Sequence, residues 1–382
     1  MANVRAAERL LQTGVQGEMS MFTAMTRRLF AGAIAGAGLF LASCATQPAT
    51  TPSPIPGINF RTVDSHGVKL RVAEAGTGPL VILVHGFPES WYSWRHQIPA
   101  LAAAGYHVVA PDMRGYGKSG RPTAVEDYDI KHLTGDLVSI VDAMGEKTAI
   151  LVGHDWGASV SWNAMLLHPD RFTAYAAMSV PYRGRNPDVR PMDATRARYG
   201  ENFWYTVYFQ EPGVAEKEFD AQPYEFLSRA YLLYEGQTPV EPPEVTDPRR
   251  AAAGGAGWIP RMGKVKQLPA WLSQKDLDYY VSEFKESGFR GGINYYRNSN
   301  RNWEITPQLT GATIPQPVMF VAGKDDPVIA GQTKETLITM MTPVVKDMRG
   351  VTVISGAGHW IQQEKWQEVN ALLLSFLASL KK

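Results

Sequence analysis

The residue with the clearest chemistry is an aspartate, Asp155, at the centre of the motif GHDWG (153–157). An apolar run precedes the motif and a helical pattern follows it, which is the order of strand, tight turn and helix in a nucleophile elbow. An ionised carboxylate on such a turn can attack a saturated carbon, whereas a serine must first lose a proton. The alternative is that Asp155 only caps the helix, although a cap does not require the second glycine. We predict that Asp155 is a nucleophile for substrates with a leaving group on sp³ carbon, such as epoxides or alkyl halides.

Attack by Asp155 leaves an ester, and hydrolysis of that ester requires donors for an oxyanion. The motif HGFPESW (85–91) follows an apolar run, and in this kind of fold the residue after His-Gly supplies a backbone N–H to the oxyanion. Phe87 would donate one N–H and Trp156 the other, while Pro88 restricts the backbone and is compatible with a cis peptide bond. The plainer alternative is a Gly/Pro turn at the end of a strand.

A base for the hydrolytic water is expected near the C-terminus. Of the eight histidines, His359 in SGAGHW follows the last predicted strand, in the order nucleophile, acid, histidine that this fold uses. The segment VAGKDDPVI (321–329) offers two carboxylates after the preceding strand. Asp326 has the expected spacing and Asp325 is the alternative. Either would hold the imidazole in the tautomer that accepts a proton from water.

The leaving atom decides between the two substrate classes. An epoxide oxygen develops alkoxide character and requires acidic donors, for which tyrosine hydroxyls are suited, whereas a halide requires softer N–H donors. Two tyrosine clusters, WYTVYFQEPG (204–213) and INYYRNSNRNW (293–303), lie between the predicted strands. Most of these tyrosines would be packing residues, and spacing alone does not single out two.

Short apolar runs that alternate with amphipathic stretches must position these residues. The alternation predicts an α/β fold with a mostly parallel sheet and helices on both faces. The predicted strands span 69–76, 80–86, 107–112, 149–154, 174–181, 317–323 and 351–359. Residues 182–315 lack such runs and are predicted to form a helical cap inserted into a core of residues 58–181 and 316–382.

The N-terminal residues have a different pattern. Residues 1–44 contain an arginine pair, an apolar run too short to span a bilayer comfortably and LASC at 41–44. We predict an export signal, similar to twin-arginine signals, with Cys44 lipidated as in bacterial lipoproteins. A plain cleavable signal or a buried apolar segment is the alternative. The Pro/Thr-rich residues 45–57 would tether an exported, periplasmic or membrane-anchored domain.

The composition indicates which kinds of binding partner to expect. The formal net charge is +1, from 38 basic and 37 acidic residues, so no basic excess favours nucleic acid. The single cysteine excludes an intramolecular disulfide. A small neutral substrate is therefore the expected partner, and the apolar side chains of Phe87, Pro88 and Trp156 predict a hydrophobic substrate pocket.

Six sequence segments resemble those of a known family. From about residue 60 onward, the chain resembles the α/β-hydrolase-fold epoxide hydrolases. These segments are HGFPESWYSWRHQIPALAAAGY, DMRGYGKS, GHDWGA, YFQEPGVAE, NYYRN with RNW, and GAGHW. The resemblance implies conversion of an epoxide and water to a vicinal diol, without metal or organic cofactor. It implies Asp155 as nucleophile, His359 as base, Asp326 as acid and, as ring-opening tyrosines, Tyr208 and Tyr296. The neighbouring Asp325 and Tyr295 leave a one-residue ambiguity.

Two other functions remain possible from the sequence. A haloalkane or haloacid dehalogenase would use the same nucleophile. Against it, Phe87 stands where haloalkane dehalogenases usually carry a polar halide-binding residue, and Trp156 stands where fluoroacetate-type enzymes usually carry arginine. A surface lipoprotein that only binds a ligand on a hydrolase scaffold would not require Asp155, Asp326 and His359 together. The sequence does not indicate the oligomeric state.

Overall fold

The computed structural model describes residues 53–233 and 240–381. Eight strands in these residues form one sheet, in the order β1-β2-β4-β3-β5-β6-β7-β8. The strands are β1 (Asn59–Ser65), β2 (Val68–Ala75), β3 (Leu80–Val84), β4 (His107–Pro111), β5 (Ala149–His154), β6 (Phe172–Met178), β7 (Ile314–Gly323) and β8 (Val345–Ile354). The β1–β2 and β2–β4 pairs are antiparallel and the others are parallel. The predicted α/β-hydrolase fold is therefore confirmed.

The strands at the centre of the sheet are apolar along their whole length. Every residue of β3 (LVILV) and of β5 (AILVGH) is buried, as expected of parallel strands covered on both faces. The alternating, half-exposed sequence of β1 escaped the sequence analysis, because charged and polar residues interrupt it at the sheet edge. The last strand also begins earlier than predicted, at Val345, because polar residues occupy its exposed first half.

Thirteen α-helices lie in the described ranges. They are α1 (Gln97–Ala103), α2 (Ile130–Ala143), α3 (Trp156–Leu167), α4 (Pro191–Tyr199), α5 (Tyr205–Tyr208), α6 (Val214–Ala221), α7 (Pro223–Leu233), α8 (Gln274–Ser287), α9 (Arg290–Arg297), α10 (Ser299–Ile305), α11 (Lys334–Met341), α12 (Ile361–Glu364) and α13 (Trp366–Ser379). Helices α4 to α10 all lie between β6 and β7, in the stretch for which we predicted a cap.

Helix α9 lies directly against the loops at the ends of β3 and β4. A Cβ atom on Gly291 would lie 2.3 Å from the carbonyl oxygen of Gly115, and one on Gly292 would lie 2.6 Å from the ring of Phe87. Two consecutive glycines therefore allow this close approach. A buried hydrogen bond also holds α9 in place, since the Tyr295 hydroxyl donates to the carbonyl oxygen of Arg114 at 2.9 Å.

The parallel register aligns the carboxyl ends of the strands that carry the predicted site. Val84 of β3 is opposite Gly153 of β5, so the loops that begin after these two strands start side by side. Gly323 of β7 is likewise opposite Ile354 of β8. Sites in such sheets form at this edge, because the loops after neighbouring strands meet there.

The predicted export signal, Cys44 and most of the tether lie outside the described residues. Among the helices that the structure does describe, none has the length and apolar character needed to cross a membrane. The first strand begins at Asn59, immediately after the predicted tether.

Candidate active site

The turn after β5 holds Asp155 in a conformation that few side chains adopt. Its φ and ψ are 52° and −119°, in the strained region with positive φ. The flanking glycines are required by close contacts, since a Cβ atom on Gly157 would lie 1.9 Å from the carbonyl oxygen of Val84 and one on Gly153 would lie 2.6 Å from that of Gly157. Asp155 is the N-cap residue of α3, but its side chain accepts no capping hydrogen bond. Its carboxylate is instead directed away from the helix, as in a nucleophile elbow.

The loop after β3 supplies a donor to this carboxylate. The backbone N–H of Phe87 donates to Oδ1 of Asp155 at 2.8 Å. Gly86 permits this contact, because a Cβ atom there would lie 2.4 Å from the same oxygen. Trp156 is the first residue of α3, where a backbone N–H has no acceptor within its own helix. The Phe87–Pro88 peptide bond is cis.

His359 lies between two carboxylates. Its Nδ1 is 3.0 Å from Oδ2 of Asp326, and its Nε2 is 3.6 Å from Oδ2 of Asp155. Asp326 is 1 % exposed and also accepts from the backbone N–H of Val328 at 2.8 Å. A water molecule beside Nε2 would therefore lie near both the base and the Asp155 carboxyl group.

The charges on His359, Asp155 and Asp326 stabilise one another. Burial alone would lower the pKa of His359, but Asp326 and Asp155 outweigh burial and raise that pKa well above its usual value. Burial opposes ionisation of Asp155, yet the neighbouring His359 and its positive charge lower the pKa of the carboxyl group. Asp326 behaves in the same way: the nearby His359 more than offsets burial, and the pKa of Asp326 is lowered. The three shifts therefore favour an imidazolium between two carboxylates.

The structure separates the two pairs of neighbours that the sequence left ambiguous. Asp325 is exposed, whereas Asp326 is buried and faces His359. Tyr295 is fully buried with its hydroxyl on the carbonyl oxygen of Arg114, whereas Tyr296 lines the cavity that contains Asp155. Asp326 and Tyr296 are thus the members of each pair that lie at the site.

The expectation for Tyr208 is corrected by its position. Its hydroxyl donates to Oε2 of Glu218 at 2.8 Å, and it faces a separate hollow on the other side of α5. Burial and the nearby Glu218 carboxylate raise the pKa of Tyr208. Tyr205, one turn earlier, lines the cavity with Asp155 and Tyr296 instead. The two tyrosines are three residues apart on a single helical turn, so sequence spacing could not separate them.

The cavity that Asp155 and His359 share has a volume of about 490 Å³. Phe87 makes an edge-to-face contact with Tyr296, at a ring distance of 5.7 Å, and Tyr205 stacks on Trp258 at 5.1 Å. Most of the wall is aromatic or aliphatic. The lining residues are Phe87, Pro88, Asp155, Arg198, Tyr199, Trp204, Tyr205, Phe226, Ala230, Trp258, Tyr296, Pro327, Val328, Ala330, His359 and Trp360. Phe87 and Pro88 line the cavity as the sequence predicted, whereas the side chain of Trp156 packs on Tyr296, at a ring distance of 5.1 Å, outside this lining.

A buried polar network that the sequence analysis did not identify links the loops of the site. Glu89 accepts from the backbone N–H of Gly86 at 2.8 Å and is 2.8 Å from Nδ1 of His154. Nε2 of His154 lies 2.7 Å from the carbonyl oxygen of His359. Glu89 and His154 are both fully buried, so the network holds the loops after β3, β5 and β8 in a fixed relation. The glutamate within the HGFPESW segment was the available sequence signal.

In the described part of the chain, no group of three or more His, Cys, Asp or Glu side chains could hold a metal ion. The polar groups that converge on the cavity are carboxylate, imidazole, hydroxyl and backbone N–H groups.

Comparison with known proteins gives a consistent result. The sequence profile described as alpha/beta hydrolase fold matches residues 79–365. The chain is 50 % identical over 325 residues to Epoxide hydrolase A of Mycobacterium tuberculosis, covering 84 % of this chain and 98 % of that protein. It is 38 % identical over 334 residues to Epoxide hydrolase 3 of Siraitia grosvenorii, with the same coverage. The crystal structure of Epoxide Hydrolase A from Mycobacterium thermoresistibile matches with a TM-score of 0.75 and 48 % identity, over 84 % of this chain and 98 % of that one.

Proposed function

The chain belongs to the α/β-hydrolase family and is an epoxide hydrolase, and on that premise we propose that it opens the epoxide through a covalent ester on Asp155. The observation that carries this proposal is the position of the Asp155 carboxylate. It accepts a hydrogen bond from the Phe87 N–H, faces His359 and lines the same cavity as Tyr205 and Tyr296.

In the first step, an Asp155 oxygen attacks a ring carbon as the carbon–oxygen bond of the epoxide breaks. Negative charge develops on the departing ring oxygen, and the hydroxyls of Tyr205 and Tyr296 donate to it. Neutral hydroxyls suit this oxygen because they can also transfer a proton to it. The aromatic wall excludes competing water from the carbon under attack.

In the second step, His359 accepts a proton from water, and the resulting hydroxide attacks the carboxyl carbon of Asp155. The backbone N–H groups of Phe87 and Trp156 stabilise the oxyanion that forms there. Collapse of this intermediate breaks the bond to the substrate oxygen, which takes the proton from His359 to complete the diol. The acid proton left on Asp155 then returns to His359 and restores the ion pair. Asp326 keeps the imidazole oriented and stabilises its positive charge.

The change in charge on Asp155 couples the two steps. Before reaction the Asp155 carboxylate raises the pKa of His359, which favours the protonated imidazole and disfavours its action as a base. Ester formation removes that negative charge and lowers the pKa of His359, so its proton can pass to the tyrosine that protonated the ring oxygen, while Asp326 remains beside the neutral imidazole. The base therefore becomes available only after the ester has formed.

A single turnover in ¹⁸O-labelled water tests the ester. Excess enzyme converts styrene oxide, and the mass of the diol is measured after one turnover. We expect unlabelled diol, because the added oxygen comes from Asp155, and we expect the label in the protein. A labelled diol would mean direct attack by water and would refute the ester. A hydrophobic epoxide is chosen because most of the cavity wall is apolar.

We also propose, from the sequence alone, that the chain is exported and lipid-anchored at Cys44. Expression of the wild type and of Cys44→Ser in a bacterial host, followed by separation of membrane and soluble fractions, tests the anchor. The wild type should be found with membranes and the variant in the soluble fraction; an unchanged distribution would refute it.

A further inference from the structure

Helix α7 is bonded to two loops of the active site through one residue. Tyr231 is fully buried, and its hydroxyl donates to the carbonyl oxygen of Pro88 at 2.8 Å. The carbonyl oxygen of the same tyrosine accepts from Nε1 of Trp360 at 2.7 Å. Tyr231 lies in the last turn of α7, where a carbonyl has no N–H partner within its own helix, so the indole N–H satisfies it.

Both residues that Tyr231 binds adjoin groups that act on the ester. Pro88 follows Phe87, whose N–H is one of the two oxyanion donors of the proposed reaction. Trp360 follows His359, and the indole lies edge-on to the imidazole at a ring distance of 4.8 Å. The indole also packs edge-on against the ring of Tyr231, at 4.9 Å. Tyr231 is therefore next to an oxyanion donor on one side and next to the base on the other.

The Tyr231 hydroxyl stays a donor. Burial, together with the nearby Tyr280 and Glu89, raises the pKa of Tyr231 well above its ordinary value of 10.0. A backbone carbonyl can only accept, so the direction of the bond to Pro88 is fixed. Pro88 is itself buried, and a buried carbonyl that loses its donor is costly. Loss of the hydroxyl should therefore shift the loop that carries Pro88.

The same helix forms part of the cavity wall. Phe226 and Ala230, both on α7, line the cavity that contains Asp155. The ring of Phe226 lies 6.1 Å from that of Phe87. The helix that holds the two loops is therefore also a surface that a substrate contacts.

We propose that Tyr231 is a positioning residue for hydrolysis of the ester and not for ring opening. Ring opening uses the Asp155 oxygen and the tyrosine hydroxyls, which are carried by the elbow, α5 and α9. Hydrolysis requires the Phe87 N–H and His359 at a fixed separation, because water must reach the carboxyl carbon while the developing charge meets its donor. This inference rests on the proposed ester at Asp155.

Single turnovers of Tyr231→Phe test the two steps separately. Enzyme in saturating excess is mixed with styrene oxide, and the ester on the protein is measured by mass spectrometry after rapid quenching, as it forms and as it decays. We expect ester decay to slow about 5- to 20-fold and ester formation to change less than about twofold. In steady state, kcat should fall and the fraction of enzyme present as ester should rise. First-order rate constants do not depend on the amount of folded protein, so a loss of stability alone would not produce this split.

The matched control is Tyr128→Phe. Tyr128 is also fully buried, and its hydroxyl donates to a prolyl carbonyl oxygen, that of Pro122, at the same distance of 2.8 Å. Neither residue belongs to the described lining of the cavity. Both rate constants of this variant should lie within about twofold of the wild type. Trp360→Phe removes the other bond of Tyr231 while keeping a ring beside His359, and it should also slow ester decay.

Three results would overturn the proposal: equal slowing of both steps in Tyr231→Phe, an equal effect of Tyr128→Phe on ester decay, or unchanged ester decay in Tyr231→Phe. If Tyr231→Phe does not fold, unchanged ester decay in Trp360→Phe overturns it instead. A wild type that produces diol without any ester would refute the proposed function, and this inference would fail with it. An ester that forms in the wild type and decays at the same rate in Tyr231→Phe would refute this inference alone.

Discussion

The replacement of Tyr205 by Phe tests which tyrosine donates to the epoxide oxygen. The structure indicates Tyr205, whereas the sequence predicted Tyr208. The ring of Tyr205 packs on Trp258 at 5.1 Å and edge-on to Tyr296 at 5.8 Å, and phenylalanine preserves both contacts. The variant therefore removes one hydroxyl from the cavity and keeps both ring contacts. The matched variant is Tyr208→Phe, one turn along the same helix.

The expected effect on rate follows from the charge on the epoxide oxygen. Loss of a single donor to a developing oxyanion costs on the order of 10²–10³ in rate where the charge is full. Here the charge is partial and Tyr296 remains as a second donor. We expect Tyr205→Phe to slow ester formation about 10- to 100-fold, which corresponds to about 1.4–2.7 kcal/mol.

The matched variant should lose stability instead of activity. The Tyr208 hydroxyl donates to Glu218 at 2.8 Å, and a hydrogen bond to a charged group contributes about 1.5–3 kcal/mol. Glu218 keeps its bonds from the backbone N–H groups of Trp258 and Ile259, both at 3.0 Å, so the cavity wall remains in place. Tyr208→Phe should lower Tm by a few degrees and change ester formation less than about threefold.

Rapid-quench single turnovers, with the ester on the protein measured by mass spectrometry, give the rate of the first step directly. Thermal unfolding followed by circular dichroism gives the stability of each variant. Equal slowing in both variants, or slowing in Tyr208→Phe alone, would refute the assignment of Tyr205 and restore the prediction made from sequence.

Three further predictions concern His359. His359→Gln cannot take a proton from water, so the ester should accumulate and the protein mass should rise by the mass of the substrate; absence of an adduct at full ring opening would contradict the proposed base. Asp155→Asn removes one of the carboxylates that raise the pKa of His359, so this pKa should fall, as measured by NMR titration of ¹³C-labelled histidine, and an unchanged value would contradict the ion pair. Because the pKa of His359 in the folded wild type lies above its ordinary value of 6.5, the stability that the ion pair contributes is complete below about pH 6.5 and is lost as the pH rises through the raised value.

Much of the site could be predicted from the chain because its residues follow local rules. The elbow at Asp155 requires small residues on both sides, and the sequence records that steric demand as GHDWG. His359 and Asp326 each follow a strand, and strands can be recognised from apolar runs. The parallel sheet then brings the ends of those strands together, so their order along the chain was enough to predict the group.

Only the tertiary structure shows which of two neighbouring residues lies at the site in the remaining cases. Tyr205 and Tyr208 are neighbours on one helical turn, and packing against Glu218 determines which hydroxyl leaves the cavity. Asp325 and Asp326 differ by one residue, and only the burial of Asp326 beside His359 distinguishes them. The direction of a side chain depends on contacts with residues far away in sequence, and no pattern within a short segment records those contacts.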